Sequence, residues 1–288
     1  TLSGAYSTPG FGSIEQKVNE RQQEYRKSYD LSTNVELGKF VPEKINVSIP
    51  MYYGVSEGWV QPRFNPLAPD LEFNEFVQSV PDREQQDSIK VRSETYNKTR
   101  SINFTNVRKN KSPTKKKDHF YDIENFAVSY AYSETFMRDI NTEKDFTKTY
   151  RGGLTYNYNN NPKNYKPFKD VKFMKGKSWN IIKDFNFYLM PKQFSMQNSI
   201  ARSYTERKTR NNTGFDFEMP EFYQKNFTWI RDYSLRHDFT KSLTFDYQAT
   251  NNAIIEEAQK KGGRVDDAYE DEYQEWKDSV WTSVRNFG

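Results

Sequence analysis

From Asn125 to Thr250 the chain alternates apolar and small polar residues almost one for one. Phe126-Ala-Val128-Ser-Tyr130-Ala-Tyr132 is the clearest stretch, and Leu154-Thr-Tyr156-Asn-Tyr158, Phe185-Asn-Phe187-Tyr-Leu189, Phe227-Thr-Trp229 and Leu243-Thr-Phe245-Asp-Tyr247 repeat it. Side chains alternate across a strand, so each stretch predicts a strand with one aromatic and one polar face. Two architectures use such strands. A soluble sandwich hides the apolar face in a core, whereas a transmembrane barrel turns it to lipid and its polar face to a wet lumen.

Turn residues divide this region into three predicted hairpins: 123–136 with 146–158, 179–189 with 194–207, and 227–237 with 243–249. An earlier hairpin is predicted from Leu31–Lys39 and Ile45–Ser56, turning at Phe40–Lys44, with Pro50 a flaw tolerable only at an edge or bulge. Ser13, as N-cap, with Ile14, Val18 and Tyr25 on one stripe predicts a polar helix over 13–28. Arg100–Thr105 reads as a short strand that does not span. The charged stretch Asp82–Glu94 reads as helix, as does 266–286, where Tyr269, Tyr273, Trp276, Val280 and Val284 fall at helical spacing.

The expected layout is a lead-in over 1–29, a first hairpin over 30–56, a long connection over 57–121, three hairpins over 122–250, and a loop and amphipathic helix over 251–288. Short turns alternating with long polar connections suit an up-and-down barrel with short turns on one rim and long loops on the other. The fold class expected is therefore all-β, a segment of a very large antiparallel transmembrane β-barrel.

Composition sharpens this choice. Only 34% of residues are hydrophobic and the mean hydropathy is −1.02, too polar for one large core. Yet 22 Phe, 20 Tyr and 5 Trp argue against disorder, because disordered chains are poor in aromatics. Half-wet strands reconcile the two. With 43 basic and 39 acidic residues, the charge is too balanced to suggest nucleic acid. The absence of cysteine excludes disulfides, thiolate metal sites and cysteine nucleophiles. Beginning at Thr1 with no initiator Met or signal peptide, the chain reads as a piece of something longer.

Candidate chemistry is sparse. His119 and His237 stand far apart, and the carboxylates Glu256, Glu257, Asp266, Asp267, Glu270, Asp271 and Glu272 lack the spacing of a calcium loop. Lys109–Lys117 reads as a solvated basic loop. Gly152-Gly153 reads as a bulge or close approach, and Gly262-Gly263 as a hinge. No catalytic, metal or cofactor residues are assigned, and no enzymatic activity is expected. Asp87-Ser88-Ile89 and Asp278-Ser279-Val280 have the form of short O-glycosylation signals.

Alternation assigns the faces. Ser129, Ala131, Thr149, Thr155, Asn157, Ser199, Ser203, Asp232, Ser234, Thr244 and Asp246 are candidate lumen-lining residues. Phe126, Val128, Tyr130, Tyr132, Leu154, Tyr156, Tyr158, Phe185, Phe187, Phe227, Trp229, Phe245 and Tyr247 are candidates to face lipid or a partner. Tyr132, Tyr158, Trp179, Trp229 and Tyr247 are also candidates for interfacial girdles. Lys148, Arg202 and Arg231 fall among the aromatics, where a basic residue costs roughly 2–4 kcal/mol at the bilayer midplane.

Tyr6-Ser-Thr-Pro-Gly-Phe-Gly12, Leu31-Ser-Thr-Asn-Val-Glu-Leu-Gly38, Arg100-Ser-Ile-Asn-Phe-Thr-Asn-Val-Arg108 and Phe120-Tyr-Asp-Ile-Glu-Asn-Phe126 resemble the SprA (Sov) family. These are the large outer-membrane subunits of the Bacteroidetes type IX secretion and gliding-motility apparatus. The resemblance implies staves of one giant barrel that exports folded proteins carrying C-terminal signal domains. It also implies partners: outer-membrane lipid, a smaller outer-membrane barrel beside a lateral opening, and a periplasmic plug. Two other readings are a secreted carbohydrate-binding β-sandwich and a substrate-gated transporter barrel.

Overall fold

The computed structural model describes residues 1–10, 15, 23–66, 68–112, 119–169, 180–213, 215, 217–255, 257 and 269–285. Nine strands follow one another in a single antiparallel meander: β1 (Leu2–Ser7), β2 (Glu24–Glu36), β3 (Pro50–Pro62), β4 (Thr95–Lys109), β5 (Phe126–Arg138), β6 (Thr142–Asn159), β7 (Gln193–Thr209), β8 (Glu221–Asp238) and β9 (Thr244–Ile255). Each pairs with its sequence neighbours, and the short strand Val47–Ser48 adds to the end of β4. Among the described residues no helix is long and apolar enough to cross a membrane. The fold is all-β and antiparallel. Among the described residues the sheet is open, with β1 and β9 at its edges.

A sandwich would set a second sheet against the first. Among the described residues the other sheets are two-stranded, Phe64–Asn65 with Ala68–Glu72 and Asn164–Tyr165 with Phe187–Tyr188. Among the described residues the buried hydrophobics are only Phe73, Val77, Tyr156, Tyr158, Phe227 and Ile255. The chain exposes 20674 Å², against about 13,000 Å² expected of a compact globule of its mass. These strands form a single-layer wall, and the sandwich reading is set aside.

Several sequence expectations are corrected. Residues 24–28 are strand rather than helix, because Tyr25, Tyr29 and Leu31 serve one face of β2; Ser13, Ile14 and Val18 lie outside the described residues. The segment expected to be a short strand at Arg100–Thr105 is part of the 15-residue β4, paired on both sides. A bulge follows Phe104, where Asn106 takes φ 55 and donates its N–H to Ser129 Oγ at 2.9 Å. The extra residue places Val107, rather than Asn106, opposite Val128. Pro50 opens β3 opposite Glu36, a position where a missing N–H is tolerated.

The strand expected at 179–189 does not join the wall. Only Phe187–Tyr188 is extended, and it pairs with Asn164–Tyr165, while Asn180–Lys183 is a helical turn. β7 pairs instead with β6 and β8. The pairings of β2 with β3, β5 with β6 and β8 with β9 follow the expected hairpins.

These two changes redistribute the loops. Connections 63–94, 139–141 and 210–220 lie on a first rim, and 37–49, 110–125, 160–192 and 239–243 on a second. The expected turn at Asp139–Thr142 is therefore on the opposite rim from those near 40–44, 190–192 and 238–241, and the rims do not divide into short and long. Helices α1 (Phe73–Ser79) and α2 (Arg83–Ser93) fill part of the first-rim connection 63–94. A third, α3 (Tyr269–Arg285), packs back on β9.

Candidate functional site

Residues directly opposite in an antiparallel pair share a face, so the register carries one face across all nine strands. Following Ser199 gives Gly153 and Ser129 on one side and Ile230 and Asn252 on the other. Following Thr149 gives Ser133, Ser101, Gly54 and Ser32. Ser129, Ala131, Thr149, Thr155, Asn157, Ser199, Ser203, Asp232, Ser234, Thr244 and Asp246 all stand on this face. Most of its side chains are small or polar, with Tyr52, Arg151, Ile230 and Arg236 among the larger ones. Ser101, Ser133, Thr149, Gly153, Ser199 and Ala201, from four adjacent strands, line one hollow, so this face is the concave one.

The opposite, convex face takes Phe126, Val128, Tyr130, Tyr132, Leu154, Tyr156, Tyr158, Phe227, Trp229, Phe245 and Tyr247. Val128 is 47% exposed and Ile200 38%, in contact with no core. Phe185 and Phe187 are not on this face. They belong to a second-rim cluster in which Phe187 stacks on Tyr165 at 5.7 Å and Phe185 meets Phe168 at 6.2 Å. The Tyr188 N–H donates to the Phe239 carbonyl at 3.1 Å, tying this cluster to the β8–β9 turn.

Parts of the convex face lie beneath the chain's own segments. The stretch 119–125 folds over β6 and β7. There Phe120 lies 5.5, 5.6 and 6.1 Å from the rings of Tyr156, Tyr158 and Phe194, and its carbonyl accepts the Tyr156 hydroxyl at 2.6 Å. Helix α3 covers β8 and β9, with Trp276 6.2 Å from Phe227. Tyr156, Tyr158 and Phe227 are thus buried by protein, which no local pattern could reveal.

The three basic residues among the aromatics are each accommodated. Arg202 is held bidentate by Glu257 at 2.8 and 2.6 Å. Arg231, 2% exposed, lies 4.5 Å over the Trp229 ring and donates to Asn251 Oδ1 at 2.5 Å, close to Ser283 of α3. Lys148 sits 5.0 Å over Phe146.

Sequence reasoning missed a charge ladder on the convex face toward the first rim. Acids come from β3, β5 and β7, and bases from β4, β6 and β8, the last through Lys225 opposite Tyr204. Glu57 takes Lys98 at 2.7 Å and the Tyr96 hydroxyl at 3.0 Å. Glu134 takes Arg100 at 3.5 Å and the Tyr132 hydroxyl at 2.7 Å. Glu206, 6% exposed, takes Lys144 at 2.5 Å and the Tyr204 hydroxyl at 3.3 Å. The signal was present in the repeats Tyr132-Ser-Glu134 and Tyr204-Thr-Glu206, since residues two apart share a strand face. On the first rim, burial and the nearby Arg92 hold the Arg210 guanidinium below its usual range, and the Arg210 backbone N–H donates to the Asn141 carbonyl at 2.7 Å.

Other candidates resolve simply. His119 lies 3.7 Å from Asp122 and stacks on Tyr121, and His237 meets Phe239 edge-on at 4.6 Å. Glu257 of the carboxylate run serves Arg202, whereas Glu256, Asp266 and Asp267 lie outside the described residues, as do Trp179, residues 113–117 of the basic loop and Gly262-Gly263. Gly152 meets nothing within 4 Å of an added Cβ, so open space flanks it on the convex face. Ser88 and Ser279 both lie on helices.

Residues 1–77, which include β1, β2 and β3, match the SprA_N family, described as a motility related/secretion protein. The chain is SprA-like. The match places a SprA-like, motility- and secretion-related sequence on the first three strands of the wall. No curated protein matches the SprA-like chain.

Proposed function

We propose that this SprA-like sheet is part of the wall of an outer-membrane channel that conducts folded proteins during secretion and gliding motility. The observation that carries the reading is the division of nine register-matched strands into a concave small-polar face and a convex aromatic one, with almost no protein core behind either. Exposed apolar rows of this extent mark a membrane or partner surface. A hydrated concave face of Ser, Thr, Asn and Gly offers cargo little to grip. In a closed barrel every strand edge finds a partner, which the hydrocarbon demands; the edges of β1 and β9 are then completed by further staves.

In this reading the mechanism is geometric and electrostatic, without covalent chemistry or a cofactor. The resemblance supplies the wider setting: exported proteins with C-terminal signal domains, a smaller barrel partner at a lateral opening, and a periplasmic plug. The test uses single cysteines in the full-length protein in intact cells. Ser129→Cys and Ser199→Cys should react with a membrane-impermeant maleimide, and Val128→Cys and Leu154→Cys should be protected. The reverse pattern, or equal labelling of both sets, would overturn the channel reading.

A further inference from the structure

The convex face holds two chemistries, separated by one line across the sheet. The line runs along the row Tyr53, Ile102, Tyr132 and Tyr150, which are cross-strand partners. On its second-rim side stand Met51, Phe104, Tyr130, Leu154 and Ile200. On its first-rim side stands the charge ladder built on Glu57, Glu134 and Glu206.

Accepting the wall reading above, we propose that the bilayer hydrocarbon covers only the second-rim half and ends at this line. The first-rim half stands clear of the membrane as a collar, with water and headgroups against its outer face. Strand length makes some projection unavoidable. β6 has 18 residues, about 58 Å at ~3.4 Å per step. Tilted by roughly 40°, it rises about 44 Å, well beyond an apolar band about 25 Å tall.

Charge decides which half projects. On β6 the convex-face positions from Tyr150 to Tyr158 (Tyr150, Gly152, Leu154, Tyr156 and Tyr158) carry no charge, and this stretch rises about 20 Å by the same arithmetic, close to the height of that band. Within it no described basic side chain meets lipid bare: Arg202 is clamped by Glu257, and Arg231 lies under α3. Beyond the line, ion pairs recur on every strand from β3 to β7. Tyrosines mark the boundary itself, at Tyr53, Tyr132 and Tyr150, as in the aromatic girdles of membrane barrels.

The test places single nitroxide labels in the full-length protein reconstituted in bilayers and compares quenching by oxygen with quenching by a water-soluble nickel chelate. Val128 and Leu154 report on the second-rim half. Phe136 and Phe146, mutual partners beyond the line, report on the first-rim half. Ser199 on the concave face should favour the chelate, and resistance of each labelled variant to protease reports that it is folded. Oxygen should dominate at Val128 and Leu154, and the chelate at Phe136 and Phe146, by at least several-fold in the ratio of the two. Oxygen dominance at Phe136 and Phe146 would overturn the boundary while leaving the membrane wall standing. Chelate dominance at all four positions would remove the wall reading itself. Protection of Phe136 and Phe146 from both quenchers would show a protein partner over the collar and overturn its solvation.

Discussion

The two faces of this sheet are built by the same strands, yet they hold together differently. On the concave face side chains touch through short hydroxyl pairs such as Thr147 with Thr205 at 3.0 Å and Ser195 with Ser234 at 3.3 Å. On the convex face large rings run in chains, Tyr29 to Trp59 to Tyr96 to Phe136, with centroids 5.8, 5.4 and 5.9 Å apart. The contrast connects side-chain volume to curvature. A curled sheet has less room on its inner side, so Ser, Thr and Gly fit there while rings spread over the outer side. The asymmetry that lets the wall curve also leaves its inner face largely polar.

The largest effect should come from adjacent positions on β7. Ile200→Lys puts a charge on the convex face inside the apolar band, opposite Gly152, and should cost about 2 kcal/mol or more. Ser199→Lys, one residue away on the concave face, should stay within about 0.5 kcal/mol. Urea titration of the full-length protein in lipid vesicles measures both, and equal costs would abolish the distinction between faces.

A smaller effect should appear at Glu206. Changing it to Gln strips the counter-charge from Lys144 in a site where the Glu206 side chain is 8% exposed, and should cost about 1–3 kcal/mol. On the concave face, Asp246→Asn should change stability by less than about 1 kcal/mol, because Arg236 is 3.8 Å away and Asp246 is 61% exposed. The same titration would reject the comparison if the two variants behaved alike.

Glu36→Ala should cost about 1–2 kcal/mol. The Glu36 carboxylate accepts the Gly38 and Ile49 N–H groups at 3.2 and 2.5 Å and the Ser48 hydroxyl at 3.2 Å, which fixes the β2–β3 connection. Hydrogen exchange at Gly38 and Ile49 should rise in step, and unchanged protection there would show the carboxylate to be dispensable. The smallest effect is expected of Tyr132→Phe, about 1 kcal/mol or less. It removes one hydrogen bond to Glu134 and leaves the ring packed 5.0 Å from Tyr150. A loss equal to that of Glu206→Gln would mean that the hydroxyl, rather than the ion pair, organises the ladder.

Alternation was legible wherever apolar residues kept strict step, and it put the proposed convex and concave residues of β5, β6, β7, β8 and β9 on opposite faces. It failed at β4 because Lys98 and Arg100 occupy positions where a hydrophobic pattern expects grease. It failed at β2 because Glu24–Ser28 is too polar to display its strand period. Phe185-Asn-Phe187 misled for the opposite reason, since alternation is necessary for a wall strand but does not supply an edge to pair with. Coverage by Phe120 and by α3 depends on contacts distant in sequence, so no window of the chain contained it.

The charge ladder has a further meaning when the sheet is viewed as something that must be assembled. Its strands are numerous and similar in pattern, so backbone pairing alone gives each many plausible neighbours. Each of the three acids meets a base on an adjacent strand, Glu57 with Lys98, Glu134 with Arg100 and Glu206 with Lys144, so the correct neighbour brings an opposite charge. Glu57, Glu134 and Glu206 then serve as addresses. A strand paired out of place would leave its carboxylate without that partner, which favours the order in which β3 to β7 are found.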